Sequence, residues 1–207
     1  IIGNSPSILE KDYGSKIDSY DVVIRINHCP TAGYEEKIGK KINIWSTTKT
    51  ICHKDNFYPS DIGKLDQIWH RTAKTKKICK LPKNNVKNYI MYKSNSFLQN
   101  FSEYTDKRKQ NKFFVKGTNH EFCTGLLTIL TSTLFYEDIT IYGFDFYTNQ
   151  GDFAYYRKGQ LNEDLKHDED DAWNANIDSG FMGLEIGKIK LQIINDLLKK
   201  EKIKILK

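Results

Sequence analysis

Asp21-Val22-Val23-Ile24-Arg25-Ile26-Asn27 is a short, β-branched and mostly apolar run. That is the pattern of a strand buried on both faces inside a parallel sheet. Such a strand cannot stand alone, because it needs parallel neighbours beside it and helices over both faces. The chain supplies them. Ile42-Asn43-Ile44-Trp45, Ile68-Trp69-His70, Tyr89-Ile90-Met91-Tyr92, Asp138 to Tyr142 and Ile203-Lys204-Ile205-Leu206 read as further strands. Gly125 to Tyr136 is apolar nearly all round, as a helix buried against a sheet is. Residues 181–200 form an amphipathic helix, with Leu184, Leu191, Ile194 and Leu198 on one face and lysines on much of the other. Ile1-Ile2-Gly3-Asn4 reads as the end of a buried strand entering a glycine turn, which implies residues upstream. The expected architecture is α/β, with a mainly parallel sheet flanked by helices in a single domain over 1–207.

Between Phe144 and Gly180 the periodic pattern disappears. This stretch is aromatic, acidic and rich in Asn and Gly. A connection of that length inside a compact domain is usually a lid or binding loop, so 144–180 is read as a lid over the site.

Composition removes several classes. Hydrophobic residues make up 39% and aromatics 13%, which is enough for a packed core and excludes a disordered chain. No run approaches the roughly 18 apolar residues of a membrane span, and no signal-peptide pattern opens the chain. Cys29, Cys52, Cys79 and Cys123 form no CxxC. They read as free thiols in a reducing compartment, which points to the cytoplasm. The net charge is +6, with lysines densest at Lys74, Lys76, Lys77, Lys80, Lys83 and Lys87. This is either a solvated face or an attraction to anionic substrates or an anionic membrane surface, peripheral at the inner membrane face. No nucleic-acid-binding signature is present.

In an open parallel sheet, ligands bind beyond the carboxyl ends of the strands. Three segments should converge there. Gly3-Asn4-Ser5-Pro6-Ser7 follows a strand, and its free N–H groups and polar side chains suit a phosphate or a sugar hydroxyl, or else form a tight turn with a helix cap. It is neither GxGxxG nor a Walker loop, so dinucleotide and NTP readings fail. Asn27 ends a strand, as a crevice residue or a cap. Cys123-Thr124-Gly125 opens the apolar helix, whose N–H groups can hold an anion. His167-Asp168-Glu169-Asp170-Asp171 invites a divalent-ion reading, but the run is contiguous and reads better as a solvated acidic loop, so no metal site is assigned. His28, His53, His70 and His120 are scattered, and only His28 adjoins a candidate site residue.

Taken together, these segments resemble a known family. Residues 1–45, IIGNSPSILEKDYGSKIDSYDVVIRINHCPTAGYEEKIGKKINIW, resemble the large sialylmotif of animal-type sialyltransferases. Residues 123–147, CTGLLTILTSTLFYEDITIYGFDFY, resemble the small sialylmotif and are also similar to bacterial lipooligosaccharide sialyltransferases. The resemblance covers about 70 of the 207 residues, in order. It implies a single Rossmann-like domain of the sialyltransferase-type GT-A variant. It also implies inverting transfer of sialic acid, or a related nonulosonate, from a CMP-activated donor without a metal or other cofactor. The acceptor would be a galactose-terminated glycan or glycolipid, on a bacterial or viral surface glycan.

By position, the resemblance places Gly3, Asn4, Ser5, Asn27, Cys123, Thr124, Gly125, Phe144 and Asp145 at the CMP site. Tyr147 matches a tyrosine that donates to the leaving phosphate, and Tyr155 or Tyr156 a second one, since a Phe cannot donate. In the bacterial enzymes the general base is a His ten residues before the Glu of a Leu-Glu pair. Here Leu184-Glu185 supply the pair, and the position holds Ala175. Ala175 replacing a histidine, His167 as the working base, and loss of turnover all remain open. The alternative readings are a CMP-Kdo donor and a non-catalytic CMP-sugar or glycan-binding module.

Overall fold

In the computed structural model, the described residues are 1–48, 65–71, 86–91, 124–144 and 182–206, with 182–190 as backbone only. A 3-10 turn at Pro6–Leu9 starts with proline, whose fixed φ suits a first helical position. Then come α1 (Gly14–Asp18), β1 (Ile24–Ile26), α2 (Glu35–Ile38), β2 (Ile44–Thr47), β3 (Gln67–His70) and β4 (Lys87–Ile90). The remaining elements are α3 (Thr124–Ser132), β5 (Thr140–Ile141), α4 (Met182–Lys199) and β6 (Lys204–Ile205).

Every strand pairing among the described residues is parallel. β1, β2, β3 and β4 lie side by side in chain order, and β5 pairs with β6. Ile2 joins the two sets through parallel bridges to Arg25 on one side and Tyr142 on the other. The order in space is therefore β4-β3-β2-β1-Ile2-β5-β6. The chain leaves the centre in one direction through β1 to β4 and resumes on the other side at β5. The change of direction falls at Ile2, and in an open α/β sheet such a change places the ligand crevice beyond the carboxyl ends of the strands, here Ile2, β1 and β5.

Helices cover both faces, as the buried strand run requires. On one face Leu126, Leu127, Ile129 and Leu130 of α3 and Ile193, Ile194 and Leu197 of α4 pack on Ile24, Ile44, Trp69 and Ile141. On the other, Ile8, Ile17 and Ile38 pack with Ile2 and Val23. The mainly parallel sheet flanked by helices agrees with the sequence reading.

Several boundaries move. β1 keeps only three residues of the Asp21–Asn27 run, because Asn27 turns out of the sheet with φ 52°. β2 starts later than Ile42 and runs on to Thr47, since Ser46 and Thr47 pair in register with Trp69 and His70. α3 closes at Ser132, before Tyr136, where Ser132 and Thr128 spend their hydroxyls on backbone carbonyls one turn back. On α4, Ile193, Ile194 and Leu197 are buried and Leu198 packs on them half-buried, so Ile194 and Leu198 face the core as read in the sequence, whereas Leu191 is exposed. Leu184 lies outside the described side chains. Arg25 is the buried exception in β1, its guanidinium donating to the carbonyls of Lys41 and Ile38 at 2.9 and 2.7 Å. No helix among the described residues is long and apolar enough to cross a membrane.

Candidate functional site

The turn after Ile2 is fastened to β5. Gly3 donates its N–H to the Tyr142 carbonyl at 2.8 Å, and Ser5 donates to the Gly143 carbonyl at 3.0 Å. A Cβ on Gly3 would lie 2.1 Å from the Gly143 oxygen, so only glycine allows the two chains to approach this closely. Gly143 itself has φ 72°, which favours glycine, and turns the chain out of β5. These bonds correct one expectation. The N–H groups of Gly3 and Ser5 are spent within the fold and are not free for a phosphate. The Ser5 hydroxyl is paired with that of Ser7 at 2.8 Å, in a buried position.

Asn4 crosses to the neighbouring strand end. Its Nδ2 donates to the Ile26 carbonyl at 3.0 Å. The next residue, Asn27, adopts the left-handed conformation, which Asn tolerates better than most residues. Its N–H donates to the Ser46 carbonyl and its carbonyl accepts the Trp45 indole N–H, both at 2.7 Å. Asn4 Oδ1, Asn27 Oδ1 and the Thr48 hydroxyl are buried with no hydrogen-bond partner among the described residues. All three follow the carboxyl ends of strands. A buried acceptor left unmatched costs about 1–3 kcal/mol, so unmatched oxygens at these strand ends mark where a ligand's donors fit.

Phe144 joins the third segment to the other two. Its ring carbons lie 3.1 Å from where a Cβ on Gly3 would stand and 3.1 Å from where one on Gly125 would stand. The strand end after β5, the turn at Gly3 and the start of α3 thus meet on one ring. Thr124 is buried and its carbonyl accepts the Thr128 hydroxyl at 2.7 Å. Thr128 also bonds Ser46 at 2.7 Å, tying α3 to β2. Gly3, Asn4, Ser5, Asn27, Thr48 and Thr124 carry no charge, so recognition by this part of the crevice runs through hydrogen bonds. Beside it, burial pushes the Cys29 thiol up to about 12, with Arg25 acting in the opposite direction.

The structure thus brings together Gly3, Asn4, Ser5, Asn27, Thr124, Gly125 and Phe144. Cys123, Asp145, Tyr147, Tyr155, Tyr156, His167 and Ala175 lie outside the described residues, as does the rest of the 144–180 stretch that the sequence reads as a lid. Sequence reasoning missed Trp45 and the Ser46–Thr128 pair. The signal was there in a buried strand that ends Trp-Ser-Thr, because a buried indole N–H or hydroxyl needs a partner. Among the described residues no three His, Cys, Asp or Glu side chains cluster as a metal set.

Residues 1–170 match the sequence profile of glycosyltransferase family 29 (sialyltransferase). The chain belongs to this family. A CMP-N-acetylneuraminate-beta-galactosamide-alpha-2,3-sialyltransferase 1 of Gallus gallus is 27% identical over 164 residues, 70% of this chain and 43% of that protein. Its namesake from Homo sapiens is 40% identical over 57 residues, 28% of this chain and 15% of that protein. A beta-1,6-galactosyltransferase of Arabidopsis thaliana is 39% identical over 54 residues, 26% and 14% respectively. The chain thus spans less than half the length of these relatives. The fold is that of a mammalian sialyltransferase crystallised with Gal-beta-1-3GalNAc-ortho-nitrophenol. That likeness has a TM-score of 0.58 and 19% identity, and covers 100% of this chain and 67% of the other.

Proposed function

We propose that this family 29 chain is an inverting glycosyltransferase. It moves sialic acid, or a related nonulosonate, from a CMP-activated donor to a galactose hydroxyl of a glycan. The observation that carries the reading is the pair of buried amide oxygens, Asn4 Oδ1 and Asn27 Oδ1, at the crevice where the sheet changes direction. They are matched acceptors for the hydroxyl and amino groups of a cytidine nucleotide. The names of the vertebrate relatives support the sialyl donor and the galactose-bearing acceptor.

In the proposed reaction the bond between the sialyl anomeric carbon and the CMP phosphate oxygen breaks. The acceptor oxygen attacks the opposite face, and a general base takes its proton. Charge builds on the departing phosphate, where Tyr147 and either Tyr155 or Tyr156 donate hydroxyl protons and the start of α3 at Thr124-Gly125 adds its N–H groups. In this scheme no metal is needed for the leaving group. In this scheme His167, eight residues before Ala175, is the side chain that serves as the base. The lysines from Lys74 to Lys87 would hold the enzyme on an anionic membrane beside a lipid-linked acceptor, a contact that salt-resistant vesicle binding would contradict.

CMP release from CMP-sialate, with lactose as acceptor and EDTA present, tests the scheme on the native chain, His167→Ala and Ala175→His. Turnover by the native chain that is lost in His167→Ala fits the account. Turnover only after Ala175→His moves the base to position 175. Bound CMP without turnover in any of them favours a binding module. A second reading rests on the plant relative's name, which makes galactosyl transfer the alternative. CMP-sialate, CMP-Kdo and UDP-galactose offered in competition separate the donors.

A further inference from the structure

We infer that Trp45 is a positioning residue for the donor pocket, holding Asn27 in the conformation from which its side-chain amide meets the nucleotide. The inference rests on the donor-site reading above and adds a residue to it. Asn27 sits at φ 52°, a region in which a non-glycine residue needs support from its surroundings. That support comes from both of its peptide groups. Its N–H is fixed by the Ser46 carbonyl and its carbonyl by the Trp45 indole N–H, each at 2.7 Å. The first of these peptide units is held at both ends, since its Ile26 carbonyl accepts from Asn4 Nδ2.

With the backbone fastened in this way, none of the clamp uses the Asn27 side chain. Its Oδ1 stays buried without a partner among the described residues. The indole N–H is the only polar group of the Trp45 side chain, and a wholly buried tryptophan must satisfy it. An apolar side chain would fill the same space in β2 at no such obligation. The placement of this particular donor against the Asn27 carbonyl is what separates a positioning role from simple core packing.

The test is a cycle read by calorimetric CMP binding, on the native chain, Trp45→Phe, Asn27→Gly and the double variant. Glycine accepts the left-handed conformation unaided and lacks the amide. Losing one neutral hydrogen bond should weaken CMP binding by about threefold to tenfold in Trp45→Phe. In the Asn27→Gly background the same change should have no further effect. An equal loss in both backgrounds, or no loss in the native one, overturns the inference and leaves Trp45 as core.

Should Trp45→Phe fail to fold, the native chain labelled with 15N-tryptophan answers the same question. Saturating CMP should shift the Trp45 indole resonance and leave that of Trp69, which donates to Gln67 Oε1, in place. An unmoved Trp45 resonance overturns the inference. If the native chain binds no CMP, the donor-site reading falls, and this inference with it.

Discussion

Asn4 donates its side-chain amide to the backbone carbonyl of Ile26 across 3.0 Å, stitching the turn after the central strand residue Ile2 to the end of β1. The two candidate donor-binding amides, Asn4 and Asn27, are therefore neighbours by construction. Replacing Asn4 with the isosteric Asp keeps the Oδ1 acceptor, removes the donor and leaves the Ile26 carbonyl with one partner fewer. A loss of about 1 kcal/mol in stability is expected, read as a lower midpoint in urea. An unchanged midpoint would mean that the stitch contributes nothing to the fold.

Gly3 and Gly33 make a contrasting pair. In Gly3→Ala the new methyl meets the Gly143 carbonyl at 2.1 Å, and backbone at that point cannot move aside. A loss of about 3 kcal/mol or more is expected. Gly33 has φ 82° but nothing within 4 Å of a Cβ, so Gly33→Ala should cost only the conformational strain, about 1 kcal/mol. Thermal melts of the two variants check the difference, and equal costs would contradict the close approach.

Ser46 and Thr128 join hydroxyls at 2.7 Å between β2 and α3. Removing either one, as Ser46→Ala or Thr128→Val, leaves a buried hydroxyl short of a partner and should cost about 1–2 kcal/mol. The double variant should cost less than the sum of the two, because it removes the orphan along with the bond. Additive losses in denaturant titrations would show that the pair does not couple the helix to the sheet.

Cys29 is buried, and its thiol is held up to about 12 from an ordinary value of 9.0. An unfolded thiol ionises first as pH rises, so between about 9 and 12 the native state binds more protons than the unfolded one. The stability that this burial contributes is complete below pH 9 and declines above it. The native chain's advantage over Cys29→Ala should shrink between pH 7.5 and pH 10.5, and Cys29 should resist thiol reagents at pH 8. A difference that is flat with pH would contradict the burial.

The layer order was legible because β-branched runs separated by amphipathic stretches leave few alternatives to a covered parallel sheet. The meeting of Gly3, Asn27 and Thr124 followed from placing strand ends together, a rule of topology that needs no side-chain detail. What could not be read was how polar atoms are shared. The N–H groups of Gly3 and Ser5 looked free in the sequence, but Tyr142 and Gly143, just after β5 and far along the chain, take both. The grip of Trp45 on Asn27 depends likewise on a register between β1 and β2 that pairs Ile26 with Ser46, and no local pattern encodes that register. The exposure of Leu191 on α4 has the same origin, since the helix turns to meet the sheet it finds.

The most direct test of the donor crevice is calorimetric binding of CMP to the native chain, repeated with UDP-galactose and with Asn27→Ala. The account expects one CMP per chain, displacement of CMP by CMP-sialate, no displacement by UDP-galactose, and binding weakened by about threefold to tenfold in Asn27→Ala. CMP binding that is indifferent to Asn27, or a crevice that takes UDP-galactose and refuses CMP, would contradict it.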